Sequence, residues 1–381
     1  MFDNSKSHST LAAATTLLRA TLFFFFSTQK MAAFRSPKVD GEVRWGIIGC
    51  GDVTEKKSGP ALQQAARSKL VAVMRRDVEK AEDYAKRHNV PKFYGDVDAL
   101  LADEQVNAVY VATPPGSHLE LALRVAGAGL PLYVEKPAAR TAWECEAMAA
   151  AFEKKNLPLF VAYYRRAYPR YASLKAAIAA GKLGALESVT YTFRKPAPPP
   201  GGATPWRLNA KASGGGLFLD VGSHAVDLLE FVLGEALADV AGSARGSPGE
   251  VERAVSLTFR AAGAAGEATW DFEADGDEDS LVIAGDALVA RCPSVMNGAD
   301  VVYERRDGTE VARETFPAPN PVQGPLVQTV VDALLDGAAC PSTAASSTRC
   351  STIIDAALDA YYGGRGDAGV PFWDRPATWS S

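Results

Sequence analysis

Cysteine is scarce and scattered. The five residues, Cys50, Cys145, Cys292, Cys340 and Cys350, are odd in number and form no Cys-x-x-Cys pair. That argues against both a disulfide framework and a zinc site, and it suits a reducing compartment. Blocks of one charge are missing as well. With 40 basic against 45 acidic residues, the net charge is −5 and no basic stripe stands out. Nucleic-acid binding therefore has no electrostatic footprint. The longest apolar run, 11–26, ends in Phe23–Phe26 but carries Arg19. It is too short and too broken to read as a membrane span. Histidine is also rare, four residues in 381, so the candidates for acid–base work can be compared singly.

A chain of 381 residues that is 47% hydrophobic is long enough for two domains with real cores. Composition divides it into a leader or extension at 1–41, a nucleotide-binding domain at 42–163, a second domain at 164–365 and a tail at 366–381. The leader is Ser/Thr-rich and nearly free of acid, as targeting peptides are. Met31 is an alternative start, and Met31–Phe34 resembles the cleavage region of bipartite plastid presequences. The expected location is cytoplasmic, with plastid targeting as the alternative.

The rest is organised around Val43–Thr54, an apolar β-branched run that ends at Gly49-Cys50-Gly51 and then turns helical. Such a strand–turn–helix holds a dinucleotide pyrophosphate: glycines let the backbone approach, and the helix start offers free N–H donors. Asp52 and Val53 open the helix, and Thr54 stands where the third glycine of G-x-G-x-x-G would be. A second apolar run, Lys69–Met74, follows at the spacing of a βαβ unit and ends in Arg75-Arg76-Asp77. An acid at that tip would accept the ribose 2′-hydroxyl, whereas guanidinium suits a 2′-phosphate. NADP is accordingly the expected cofactor, with NAD as the alternative.

Strand and helix patterns alternate up to Ala162: helices at Val78–His88, Asp96–Leu101, Ser117–Ala128 and Thr141–Asn156, strands at Ala108–Val111, Leu132–Val134 and Leu159–Ala162. Repeated βα units give a doubly wound parallel sheet. Beyond lie a helix at Tyr168–Ala180, a strand at Glu187–Phe193 and a proline-dense loop at Lys195–Pro205. Gly214-Gly215-Gly216 then opens a helix to about Leu233. Alternating runs at Val251–Phe259, Glu267–Phe272, Ser280–Ala284 and Val301–Glu304 predict a mostly antiparallel sheet, hence an α+β second domain. Helices at Gln323–Leu335 and Ser346–Tyr362 close the chain.

Two constellations carry chemistry. Glu135-Lys136-Pro137 leaves the fifth strand at the edge where a nicotinamide would lie, and Pro137 suits a cis bond. Asp220 and His224 are four apart on one helical face, opposite Leu217, Val221, Ala225, Leu228 and Val232. Asp220 is expected to orient the imidazole, and the triple glycine to admit a ligand. His8 lies in the leader, His88 ends a charged helix, and His118 starts a helix beside Thr113-Pro114-Pro115 near the cofactor edge. His224 alone combines a carboxylate with a glycine-rich approach. Tyr163-Tyr164-Arg165-Arg166 should line the cleft floor, and Trp206-Arg207 enters the glycine helix.

Gly46–Gly51, Ala112-Thr113-Pro114-Pro115 with His118, Glu135-Lys136-Pro137, Tyr163–Arg166 and Gly215–His224 occur in this order. Together they resemble the glucose–fructose oxidoreductase/inositol dehydrogenase/MocA (Gfo/Idh/MocA) family over roughly Val43–Ala290. The resemblance implies a Rossmann domain followed by an open-faced α+β domain that often mediates homo-oligomers. It also implies Lys136, Asp220 and His224 as the catalytic set. Gly49–Thr54, Arg75, Arg76, Ala112, Thr113, Pro114, His118, Glu135 and Lys136 would meet the cofactor. Lys136, Tyr164, Arg165, Trp206, Arg207, Asp220 and His224 would meet a small-molecule substrate. The expected reaction is hydride transfer between nicotinamide and a sugar, polyol or dihydrodiol. No metal, nucleic acid or stable membrane association is expected. A glycoside hydrolase working by transient oxidation, or a dinucleotide-binding regulator, are the alternatives.

Overall fold

The computed structural model describes residues 39–197, 205–365 and 370–379. Most of the leader, the middle of the proline loop and six of the sixteen residues of the expected tail, 366–369 and 380–381, thus lie outside the described residues. All that is described belongs to one compact unit.

The first sheet has six strands: β1 (Val43–Ile48), β2 (Ser68–Met74), β3 (Lys92–Tyr94), β4 (Ala108–Val111), β5 (Leu132–Val134) and β6 (Leu159–Val161). They run in parallel in the order β3-β2-β1-β4-β5-β6, the doubly wound arrangement expected. Its central strands are largely apolar because both faces are covered, whereas the edge strand β3 is partly exposed. Trp45, Ala108, Tyr110 and Tyr133 face one core, which is closed by Leu326, Val327 and Val330 of the late helix Gly324–Asp336. Ile48, Val109, Val111 and Val134 face the other. The strand order reverses between β1 and β4, and ligands of such sheets sit at the carboxyl ends beside that reversal.

The second sheet has eight strands: β7 (Leu186–Arg194), β8 (Ala238–Arg245), β9 (Ala254–Ala261), β10 (Ala264–Asp271), β11 (Glu278–Gly285), β12 (Val289–Cys292), β13 (Asp300–Glu304) and β14 (Glu310–Thr315). The order is β14-β13-β12-β11-β7-β10-β9-β8, antiparallel except where β7 meets β10. Val189, Tyr191, Leu257, Phe259, Trp270 and Ile283 are buried, whereas Ser188, Ser256, Thr258, Arg260 and Glu267 stay exposed on the other face. The pattern did not announce β3, β8, β12 or β14. β3 and β12 are only 3 and 4 residues long. β8 and β14 are edge strands with no buried residue, so no apolar stripe marks them.

The helix Leu217–Leu233 departs from the two-faced expectation. It is buried almost all round, including Phe218, Leu219, His224, Val226, Asp227 and Leu229, while Leu217 and Val221 of the supposed sheet-facing stripe are only half-buried. Phe218 reaches the sheet edge-on, 4.8 Å between its ring centroid and that of Trp270. Among the described residues no helix is long and apolar enough to cross a membrane. All five cysteines are free and buried.

Candidate active site

β1 ends at Gly49, whose φ of +90° favours glycine. A Cβ there would lie 2.5 Å from Cγ2 of Thr113, so this turn and the Ala112–Pro114 loop touch at the reversal point. Gly51 instead faces open space, its nearest neighbour to a Cβ being an oxygen 3.9 Å away. Thr54 does the work of tying the turn. Its Oγ1 accepts from the Gly51 N–H at 2.9 Å and donates to the Gly51 carbonyl at 2.7 Å. The close packing that a third glycine provides comes later, from Gly59: a Cβ there would meet the Thr54 carbonyl at 2.3 Å. The N–H groups of Asp52 and Val53 begin the helix Asp52–Lys56, where intrahelical partners are lacking. Open space beside Gly51 and these donors fit a dinucleotide pyrophosphate.

Arg75 lies beside the turn, its Nη1 donating to the Cys50 carbonyl at 3.3 Å, and Arg76 is exposed. Asp77 caps the helix Val78–Arg87, accepting from Lys80 N at 3.2 Å and pairing with Lys80 Nζ at 2.8 Å. Burial pushes the Cys50 thiol up to about 11, so it is a packed neutral group. His118, expected at the cofactor edge, is fully buried behind it. Nε2 lies 2.7 Å from the Thr113 carbonyl and Nδ1 3.0 Å from that of Ala138. It joins the Thr113 loop to the Lys136 loop and positions both. Glu135 is likewise held from behind, accepting from Tyr110 Oη at 2.5 Å, Gln323 Nε2 at 2.6 Å and Lys136 N at 3.1 Å.

The Lys136–Pro137 peptide is cis, as the sequence suggested. Lys136 Nζ donates to Asp220 Oδ1 at 2.6 Å and to the Asp220 carbonyl at 2.8 Å. Arg207 Nε donates to Asp220 Oδ2 at 2.7 Å, and the same guanidinium lies over the Trp206 ring at 4.3 Å. Burial would raise the Asp220 carboxyl, but Lys136 and Arg207 outweigh it and hold it well below the usual range. Asp220 therefore anchors Lys136 and does not orient His224, whose buried Nδ1 has no partner among the described residues. Each carboxylate oxygen is drawn to a cationic donor, Oδ1 to Lys136 and Oδ2 to Arg207, and the one-turn spacing to His224 did not become a hydrogen bond. Tyr164 and Tyr163 pack edge-on against the imidazole, at 5.0 and 6.1 Å between centroids. Burial, together with Lys136, Arg165 and Lys57, depresses His224 far below its ordinary value and keeps it neutral.

The adjacent arginines part company. Arg166 Nε bonds both carboxylate oxygens of buried Asp227, at 2.9 and 2.8 Å. Arg165 lies against Tyr164, the ring that packs on His224, and has no carboxylate partner among the described residues. The glycine run, expected to admit a ligand, is packed by protein. A Cβ on Gly214 would lie 2.7 Å from Cα of Arg140, and one on Gly216 2.7 Å from the Glu252 carbonyl. Glu252 accepts from Gly216 N at 2.8 and 2.9 Å, and Arg365 Nη1 donates to the Gly214 carbonyl at 2.7 Å. Glu252, Arg365, Gln323 and Lys57 went unnoticed in the sequence. The first three lie far along the chain from what they support, and Lys57 sits in a charged run, Glu55-Lys56-Lys57, that reads as solvated.

Residues 43–163 match a family profile described as an oxidoreductase family with an NAD-binding Rossmann fold, and residues 171–290 match the GFO/IDH/MocA C-terminal domain. Oxidoreductase P35 of Formosa agariphila is 35% identical over 251 residues, which is 65% of this chain and 78% of that protein. Trans-1,2-dihydrobenzene-1,2-diol dehydrogenase of Bos taurus is 31% identical over 194 residues, covering 50% of this chain and 56% of its own length. The NADP-dependent D-xylose 1-dehydrogenase 2 of Haloferax volcanii is 33% identical, over 50% of this chain and 57% of its own. The chain thus aligns with little more than half the length of these two dehydrogenases. Among solved structures, the aldose–aldose oxidoreductase of Caulobacter crescentus superposes with a TM-score of 0.74 at 22% identity, over 83% of this chain and 96% of that one. A levoglucosan dehydrogenase gives the same TM-score, 0.74, and the same identity, 22%, over 83% and 96%. The chain belongs to the Gfo/Idh/MocA family and is an NAD(P)-dependent oxidoreductase acting on CH–OH groups.

Proposed function

We propose that this oxidoreductase interconverts a hydroxyl and a carbonyl on a sugar, polyol or dihydrodiol, with NADP preferred over NAD. The observation that carries the reading is the 2.6 Å contact between Lys136, at the end of β5, and Asp220, on the helix of the second sheet. It brings an ammonium from the nucleotide-binding part to one turn from a buried, neutral histidine. Relatives named as dihydrodiol and xylose dehydrogenases support the substrate class.

The bound nicotinamide supplies the hydride donor or acceptor. Two of the three ammonium protons of Lys136 go to Asp220. The third is left to hold the substrate oxygen. His224, kept neutral, takes the hydroxyl proton during oxidation and returns it during reduction. The surrounding tyrosines exclude water from that transfer. Coupled screening of sugars, polyols and diols by NADPH absorbance tests the reading. Sugar release without dinucleotide turnover would point to hydrolysis instead.

Cofactor choice rests on Arg75 and Arg76, since Asp77 is spent on the helix cap. Arg75→Ala with Arg76→Ala is expected to lower the NADP/NAD ratio of kcat/KM by about tenfold or more, the loss of a charge-assisted contact. An unchanged ratio overturns the preference. The uncovered face of β7, β9 and β10 supports self-association into a homo-oligomer. Light scattering is expected to give a multiple of the chain mass, and Thr258→Arg with Ser256→Glu to reduce it.

A further inference from the structure

Arg165 is 6% exposed, yet among the described residues no acidic side chain pairs with it. A buried guanidinium with unfilled donors and no anion is costly, and the other buried arginines fill theirs. Arg166 takes Asp227 and Arg365 takes Asp355. Arg170 spends its donors on the carbonyls of Ser294, Gly298 and Asp300. Among the described residues Arg165 has only Tyr164 Oη at 3.3 Å and the Met296 carbonyl at 3.1 Å, and its Nε is buried with no partner there. The carboxylate beyond Met296, Asp279, is spent on Met296 N at 2.6 Å, Ser294 Oγ at 3.2 Å and Tyr191 Oη at 3.3 Å.

The orphaned cation stands at the catalytic groups. The Tyr164 ring has Arg165 Cζ 5.0 Å from its centroid and the His224 ring centroid also at 5.0 Å, so both side chains neighbour one tyrosine. On the far side Lys136 and Arg207 share the single carboxylate of Asp220. Glu135 lies behind Lys136, held by the neutral donors Tyr110 and Gln323. The site is thus built with more cation than its own acids neutralise.

From this we infer that the substrate is an acidic sugar, a uronate or aldonate, whose carboxylate is received by Arg165 while its reacting CH–OH carbon faces Lys136 and His224. The inference rests on the proposed sugar or polyol reading and narrows it. A planar carboxylate matches the planar guanidinium fork, which keeps one N–H on each of Nη1 and Nη2 once Tyr164 and Met296 are served. The dinucleotide phosphates are the other source of negative charge, and they belong to the Gly49–Thr54 turn.

The test compares acid and neutral partners that differ at one carbon: D-glucuronate with D-glucose, and D-galacturonate with D-galactose. Each is assayed with NADP and measured by calorimetry for binding to the enzyme–NADPH complex. In at least one pair the acid is expected to exceed its neutral counterpart by about 10- to 100-fold in kcat/KM, the worth of a charged hydrogen bond, and the excess should shrink with added salt. Arg165→Met should collapse the acid-to-neutral ratio, and Arg165→Lys should restore part of it, with both variants checked for native melting temperature. Neutral sugars that bind and turn over as well as the acids overturn the inference and leave the sugar reading intact. A loss of NADPH affinity in Arg165→Met, with the acid-to-neutral ratio unchanged, assigns the arginine to the dinucleotide and also overturns it. If neither class binds nor reduces NADP, the sugar reading falls and this inference with it.

Discussion

Lys136→Met is expected to lower kcat by about 10²- to 10⁴-fold, the usual contribution of a positioned proton-transfer group, while dinucleotide affinity changes little. Methionine keeps the length of the side chain and removes the ammonium that Asp220 holds at 2.6 Å. His224→Ala should cost a similar factor by removing the neutral base. The two losses should not multiply in the double variant, because groups acting as a unit on one substrate hydroxyl are lost together. Asp220→Asn is the informative intermediate. Read as a partner of His224, Asp220 would only misorient the ring, and its loss would be mild. The structure gives it Lys136 and Arg207 instead, so the variant leaves two cations facing an amide. Its effect should approach that of Lys136→Met. Single-turnover hydride transfer, with dinucleotide binding followed in parallel, decides. Near-normal transfer in both Lys136→Met and His224→Ala would remove the site.

The second large effect falls on stability. Arg166→Met should destabilise the protein by about 3–5 kcal/mol, because it strands a buried carboxylate that has lost its ion pair. Asp227 sits one turn after His224 on the same helix, and burial already pushes its carboxyl up to about 6 against the opposing effect of Arg166. Arg166→Met with Asp227→Leu should recover most of the loss, since replacing both members of a buried pair by apolar groups is often neutral. Chemical denaturation of the three proteins makes the comparison. A loss as large in the double variant as in the single one would show that Arg166 matters through something other than its ion pair. The contrast with Arg165 would then lose its basis.

Much of the architecture was legible because it depends on neighbours in the chain. The run ending at Gly49-Cys50-Gly51, the continuous apolar strands and the alternation in β9, β10 and β11 each reflect a local repeat imposed by burial on two faces or one. The edge strands β8 and β14 escaped because exposure on both faces removes that repeat. Asp220 and His224 were singled out by spacing, and their shared helix was right. Which partner the carboxylate would choose was not decided by spacing.

Within the chain, then, residue order marked out the nucleotide-binding turn and the two sheet types, and it singled out Lys136, Asp220 and His224 as candidates. Tertiary structure alone decided which charges meet. It set Lys136 on Asp220 across 84 residues, Gln323 on Glu135 across 188 and Arg365 on the Gly214 carbonyl across 151. It also separated Arg165 from Arg166, neighbours in sequence that point to different surroundings. The physical reason is that periodicity records only how much of a side chain is buried. A charge is compensated by whatever the fold brings within about 3 Å, and that distance is set by packing between elements far apart in the chain.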